Sequence, residues 1–214
     1  MTTPHTITPK HIKEAYTYET YKALSETLFS EGRTTADSPK LNTEAYLNYT
    51  KMNLQRSKRL EKTAQLTDAL KTTLDKIQEK WIWLVLTESW CGDAAQSIPV
   101  LAKMAEYQPN IELKFLLRDK NLDVMDAYLT NGGRSIPKLI CLKADTLEEL
   151  FTWGPRPQEV QALMIDLKAQ GVSSAEVAEQ IQRWYNADKT QSIQAEFGSL
   201  VNATMVEVVE TNIK

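Results

Sequence analysis

The chain is poor in the residues that staple small proteins or hold metals. Its 214 residues include two cysteines, two histidines and seven glycines. Two cysteines cannot make the disulfide framework of a small secreted domain. His5 and His11 lie near the N-terminus with no cysteine beside them, so both are read as solvent-exposed and no metal site is expected. No stretch approaches the roughly 18 uninterrupted apolar residues of a membrane span. The opening MTTPHTITPKHIKEAY lacks the apolar core of a signal peptide. A basic excess is missing too. With 25 Lys and Arg against 28 Asp and Glu, the net charge is −3, and nucleic acid is not expected as the main partner. The expectation from these absences is a reduced, cytoplasmic protein without membrane, metal or cofactor. What is present, 42% hydrophobic and 25% charged residues, suits one globular domain or a smaller domain with an extension.

Residues 1–10 read as a loose tail. Tyr21, Leu24 and Leu28 recur at helical spacing and predict a helix ending near Gly32. The breaker-rich segment from Gly32 to Lys40 predicts a loop. Asn42 or Thr43 can cap a second helix with Tyr46, Leu47 and Leu54. Leu66, Leu70, Leu74 and Ile77 mark a third, separate or continuous with it. Trp81–Thr87 is a nearly unbroken apolar run, as expected of a strand buried on both faces. Ala95, Ile98, Leu101, Ala102 and Ala105 then share one helix face. Ile111–Leu117 predicts a second strand and Leu122–Leu129 a short helix, with further strands over Leu139–Leu142 and Glu149–Trp153. Helices are expected over Pro157–Gln170, from Ser173 with a capping box to Glu176 and with Val177, Ile181 and Trp184 inward, and around Ile193, Phe197 and Val201. The last ten residues fit helix, strand or tail. Strand, helix, strand at the centre implies a parallel pair joined by a crossover.

The segment Trp90-Cys91-Gly92-Asp93-Ala94 sits where the first apolar run gives way to a helical pattern. A thiol at a helix N-terminus meets unpaired N–H groups and the positive end of the dipole, which lower its pKa. Asp93 opposes this if its charge lies close, or caps the helix instead. Arg134 either offsets Asp93 or is a solvated loop residue. The basic cluster Arg56, Lys58, Arg59 and Lys62 reads as a solvated helix face, with an anionic ligand as the alternative.

The strand order and three local signatures resemble the thioredoxin family over roughly residues 80–170. Trp90-Cys91-Gly92-Asp93-Ala94 looks like the W-C-x-x-C site without its second cysteine. Pro99 falls where the family's active-site helix carries a kinking proline. Gly133-Arg134-Ser135-Ile136-Pro137-Lys138-Leu139-Ile140 looks like the family's cis-proline loop, and Gly154 fits after the next strand. The W-C-G-D form with a helical N-terminal extension is similar to thioredoxin-like proteins common in bacteria. The resemblance implies an α/β thioredoxin-like fold, a four-stranded mixed sheet flanked by helices. The expected division is an N-terminal helical extension over 1–79, the thioredoxin-like domain over 80–170 and a C-terminal helical extension over 171–214 packing on the same domain. The extensions are expected to cover the core, extend its groove or form a dimer surface, and the oligomeric state is left open.

The resemblance makes Cys91 the reactive thiol, with Trp90, Gly92, Asp93, Ile136 and Pro137 shaping a substrate groove. A cis peptide before Pro137 would present the Ile136 backbone to an extended partner, and Trp90 would be an exposed aromatic beside it. Trp81, Trp83, Trp153 and Trp184 are read as core. Ala94 holds the position of the resolving thiol and cannot release a mixed disulfide. Cys141, in a strand about 13 Å along the backbone from Pro137, is too far to replace it and is read as core. Val85 stands where many relatives carry a buried acid; Glu88 is read as a surface residue that could partly substitute. The expected function is a monothiol protein forming mixed disulfides through Cys91 with protein thiols or a low-molecular-weight thiol. The alternative is a redox-inactive interaction module of the same fold.

Overall fold

The three largely apolar runs at the centre of the chain become three strands of one sheet, with charged side chains confined to the first half of the second run and to the ends of the third. In the computed structural model, which describes residues 6–212, β1 (Trp81–Thr87) is buried along its whole length. It pairs in parallel with β2 (Ile111–Leu117) on one side and antiparallel with β3 (Lys138–Lys143) on the other. A fourth strand, β4 (Glu149–Trp153), pairs antiparallel with β3, giving the order β2-β1-β3-β4. The four-stranded mixed sheet flanked by helices is the architecture expected of the sequence.

The helices in chain order are α1 (Pro9–Glu14), α2 (Tyr18–Ser30), α3 (Glu44–Thr63) and α4 (Asp68–Leu74) before β1. Next come α5 (Gly92–Tyr107) in the β1–β2 crossover and the short α6 (Leu122–Ala127). α7 (Gln158–Ala169), α8 (Ser174–Asp188) and α9 (Gln191–Asn212) follow the sheet. The second and third predicted helices are distinct: Thr67 caps α4 through the Leu70 N–H, so α3 does not run on. The predicted tail is part of the fold from Ile7, which is buried, and α1 starts at Pro9. His11 is not solvent-exposed. Its Nδ1 accepts from the Thr8 N–H at 3.0 Å, and Asp123 lies 3.4 Å from its Nε2. His5 lies outside the described residues. The chain end continues α9 to Asn212.

Both extensions pack on the sheet layer. α3 lies along α5, and α9 lies against α4. Phe197 of α9 is fully buried among Trp83, Phe151 and Trp153. Between α1 and α2, Tyr16 makes a two-bond bridge with Phe115 on the outer edge of β2, both N–O distances being 2.9 Å. Trp184 departs from its expected place in the core: it is half-buried and packs edge-on against Tyr185, 5.5 Å away.

A candidate thiol pocket at the start of α5

β1 delivers the chain to the start of α5, and Cys91 is the residue at the turn. It occupies the N-cap of α5, with its own N–H bonded to the Glu88 carbonyl at 3.1 Å. The Cys91 thiol donates to the Ile136 carbonyl, with Sγ–O at 3.2 Å. The Ile136–Pro137 peptide is cis, and so is Gly154–Pro155. Gly154 has φ +113°, and a Cβ there would run into the Pro137 carbonyl oxygen, so only glycine lets the segment after β4 close on the Pro137 loop. Ala94, one turn into the helix, is buried, and Cys141 is fully buried in β3 beside Trp83 of β1. Both thiols are free.

The resting chemistry of Cys91 differs from the expectation. Burial, and then the Asp93 charge, push the thiol up to about 12. The N–H groups of Ala94 and Asp93 and the charge of Arg156 pull in the other direction and do not overcome this. A helix terminus favours a thiolate, but here the residue is only 8% exposed, and desolvation of the charged form outweighs the dipole.

Asp93 is neither free nor a helix cap. Its Oδ2 takes the Arg156 fork at 3.0 and 2.5 Å, and its Oδ1 accepts from the Tyr185 hydroxyl at 2.8 Å. Arg134, the residue considered for that offsetting role, is turned away to Asp126 at 2.6 and 2.7 Å. Trp90 is partly buried rather than exposed. Tyr46 packs edge-on against it at 5.6 Å, and the Arg118 guanidinium lies over its ring at 4.9 Å.

Glu88 is not a surface residue. It is fully buried, with Oε1 accepting from the Asp119 N–H at 3.0 Å and Oε2 accepting from the Thr35 hydroxyl. Burial is the main cause that raises its carboxyl to about 7, against the partial opposition of those two hydrogen bonds. Val85, by contrast, is buried and apolar as read.

Over Cys91 opens a cavity of about 440 Å³. Its floor is Trp90, Cys91, Gly92, Asp93 and Ile136. One wall is α3, through Tyr46, Tyr49, Asn53 and Arg56. The opposite wall is Arg156 with Met164 of α7 and Val177, Ile181 and Tyr185 of α8. Asn53 ties the α3 wall to the floor through a 3.0 Å bond from its Nδ2 to the Ser89 carbonyl. Arg56 belongs to this wall and not to a solvated face. Its guanidinium is half-buried, and burial first, then the Arg59 charge, lower its hold on the proton. The helical extensions therefore extend the groove and enclose it.

Pro137 itself does not line the cavity; Ile136 does. Arg56 stands in the sequence only as part of a cluster, while Arg156, Tyr46 and Asn53 carry no local signal as site residues. For Tyr185 a signal existed in the spacing: Val177, Ile181 and Tyr185 repeat every four residues, and all three face the cavity. Among the described residues no cluster of His, Cys, Asp and Glu could hold a metal ion. No described helix is long and apolar enough to cross a membrane.

The family model described as Thioredoxin matches residues 40–169. No curated protein matches the chain. Two solved structures share the fold. A protein of unknown function from Pseudomonas aeruginosa is 20% identical, with a TM-score of 0.53, covering 88% of this chain and 98% of its own. An HIV epitope scaffold is 19% identical, with a TM-score of 0.51, covering 88% of this chain and 99% of its own.

Proposed function

This chain belongs to the thioredoxin family, and from that premise we propose that it is a monothiol thiol–disulfide exchange protein of the cytoplasm. Cys91 forms a mixed disulfide with a partner thiol, and an external thiol releases it. The observation that supports this reading is the placement of the Cys91 thiol. It lies on the floor of an open 440 Å³ cavity against the Ile136 carbonyl, with alanine in the resolving position and the other thiol sealed in the sheet. Trp90, Gly92, Asp93 and Ile136 form the floor on which the partner's sulfur arrives, and the Pro137 loop fixes the Ile136 carbonyl. The helical extensions, 1–79 and 171–214, act with the central domain as one unit by walling this floor.

The raised pKa sets the rate and does not abolish the chemistry. A thiol near 12 has little thiolate at neutral pH, but that thiolate is the better nucleophile. The two effects together slow exchange by about a few hundredfold relative to a thiol poised near pH 7. The same observation favours a second reading, a redox-inactive module that holds its ligand without covalent chemistry.

Intact-mass measurement after exposure to a small disulfide separates the two. The expected result is one adduct on Cys91 that persists until an external thiol is added, and no adduct in Cys91→Ser. In Ala94→Cys the adduct should be expelled by the new neighbouring thiol, and insulin disulfide reduction should rise above background. Absence of any adduct up to pH 10 would establish the redox-inactive reading.

A further inference from the structure

The arginines around the cavity are not equivalent. Arg118, Arg134 and Arg156 each face a carboxylate, Asp119 at 2.7 Å, Asp126 at 2.6 Å and Asp93 at 2.5 Å. Arg56 has no carboxylate within ion-pair reach among the described residues. Its side-chain partner is the neutral amide oxygen of Asn53 at 3.0 Å. A half-buried cation without a counter-charge is costly unless something else supplies one.

Its position says where that charge would lie. Nη1 of Arg56 is 3.7 Å from the point a Cβ on Gly92 would occupy, so the guanidinium sits beside the residue that follows Cys91. The 16-residue helix α5 begins there, and its first N–H groups add partial positive charge at the same spot. The one acid of the cavity floor, Asp93, is occupied by Arg156 and Tyr185. The cavity has the volume of a small-molecule site, and its walls of α3 and α8 leave a recess and not an open edge. Arginine's planar fork matches the two oxygens of a carboxylate. One unpaired fork balances one such charge, whereas a dianionic phosphate would bring excess charge beside Asp93.

We propose that Arg56 is the carboxylate-binding group for a low-molecular-weight thiol, or its disulfide, whose sulfur meets Cys91. The assignment rests on the mixed-disulfide reading of the pocket. In the exchange step the Cys91 thiol loses its proton to water, and its sulfur attacks one sulfur of the disulfide. The new Sγ–S bond forms as the old S–S bond breaks. The departing half leaves as a thiolate and takes up a proton. Cys91 is oxidised, the released half is reduced, and the retained half keeps its carboxylate on Arg56.

Three symmetric disulfides test this: 3,3′-dithiodipropionate (anionic), bis(2-hydroxyethyl) disulfide (neutral) and cystamine (cationic). The rate of Cys91 adduct formation with each is divided by the rate of the same disulfide with a neutral cysteine peptide. The expected order is anionic, neutral, cationic, with the first preferred over the second by about tenfold or more, as a charge-assisted hydrogen bond allows. In Arg56→Gln the anionic-to-neutral ratio should fall towards one, and Arg56→Lys should keep part of it. If Arg56→Gln fails to fold, Arg56→Met, which keeps the length of the side chain without its charge, carries the same expectation. Equal normalised rates would overturn the Arg56 assignment while leaving the mixed-disulfide reading intact. No adduct with any of the three would overturn both.

Discussion

Cys91 and Cys141 are both buried thiols, and the difference between them lies entirely in their neighbours. Cys141 sits mid-strand in β3, opposite Trp83, with zero exposure. Around it are apolar side chains and completed strand bonds, and burial alone dominates the upward shift of its thiol. Cys91 ends a strand and begins a helix. Its surroundings include a carboxylate, two arginines, a tyrosine hydroxyl, a buried glutamate three residues back and a cavity above. Burial is the first cause that keeps both thiols protonated, but at Cys91 the Asp93 carboxylate comes next, and of the two only Cys91 lies under the cavity.

Alkylation of the native protein puts this contrast to its strongest test. A small alkylating agent should modify Cys91 through the cavity, whereas Cys141 waits for the sheet to open. Since that opening draws on much of the global stability, the two rates should differ by about three orders of magnitude or more. Peptide mapping of the labelled chain measures the ratio. The Cys91 rate should still be climbing with pH at pH 10, because its thiolate forms only as pH approaches about 12. Comparable labelling of both cysteines would break the comparison.

A second effect belongs to the Cys91 end of the sheet alone. Glu88 has a folded pKa of about 7 against an ordinary 4.5, so the folded state binds the extra proton. The stability this contributes is complete below about pH 4.5 and is lost as pH rises through 7. The difference corresponds to about 3 kcal/mol at most. Glu88→Gln keeps groups for both the Asp119 N–H and the Thr35 hydroxyl. Denaturant unfolding at a series of pH values should show the loss between pH 4.5 and 7 flattened in this variant.

The smallest effect sharpens the role of charge. Asp93→Asn removes the nearest negative charge from Cys91 and leaves Arg156 to act on it unopposed. A fall of about one unit in the Cys91 pKa, or about a tenfold gain in thiolate at neutral pH, is the expected scale. Cys91 alkylation at pH 8 should quicken accordingly while Cys141 does not change. An unchanged Cys91 rate would show that desolvation alone sets its pKa.

How much of this was legible in the sequence follows the distance between partners. Trp81–Thr87 and Ile111–Leu117 coincide with β1 and β2, because a short, mainly apolar run has few places to go but a buried strand. The thiol, its missing neighbour Ala94 and the Ile136–Pro137 loop were found through short motifs. The walls of the pocket were not. The Asp93–Tyr185 bond joins residues 92 apart in the chain, and Asn53 reaches Ser89 across 36. Glu88 was misread for the same reason: the hydroxyl that makes its burial tolerable comes from Thr35, 53 residues earlier. Likewise, a helix start lowers the pKa of an exposed thiol, and at Cys91 burial reverses the outcome.

The bridge between Tyr16 and Phe115 has a consequence far from the thiol. β2 is the outer strand of the sheet, and a bare outer strand is a template on which another chain can add itself. By spending one residue of the linker between α1 and α2 on that edge, the protein occupies its middle with its own backbone. The N-terminal segment thereby takes up backbone groups of β2 that an added strand would otherwise pair with. A shortened chain starting at α2 would keep the pocket's residues and lose its defence against aggregation.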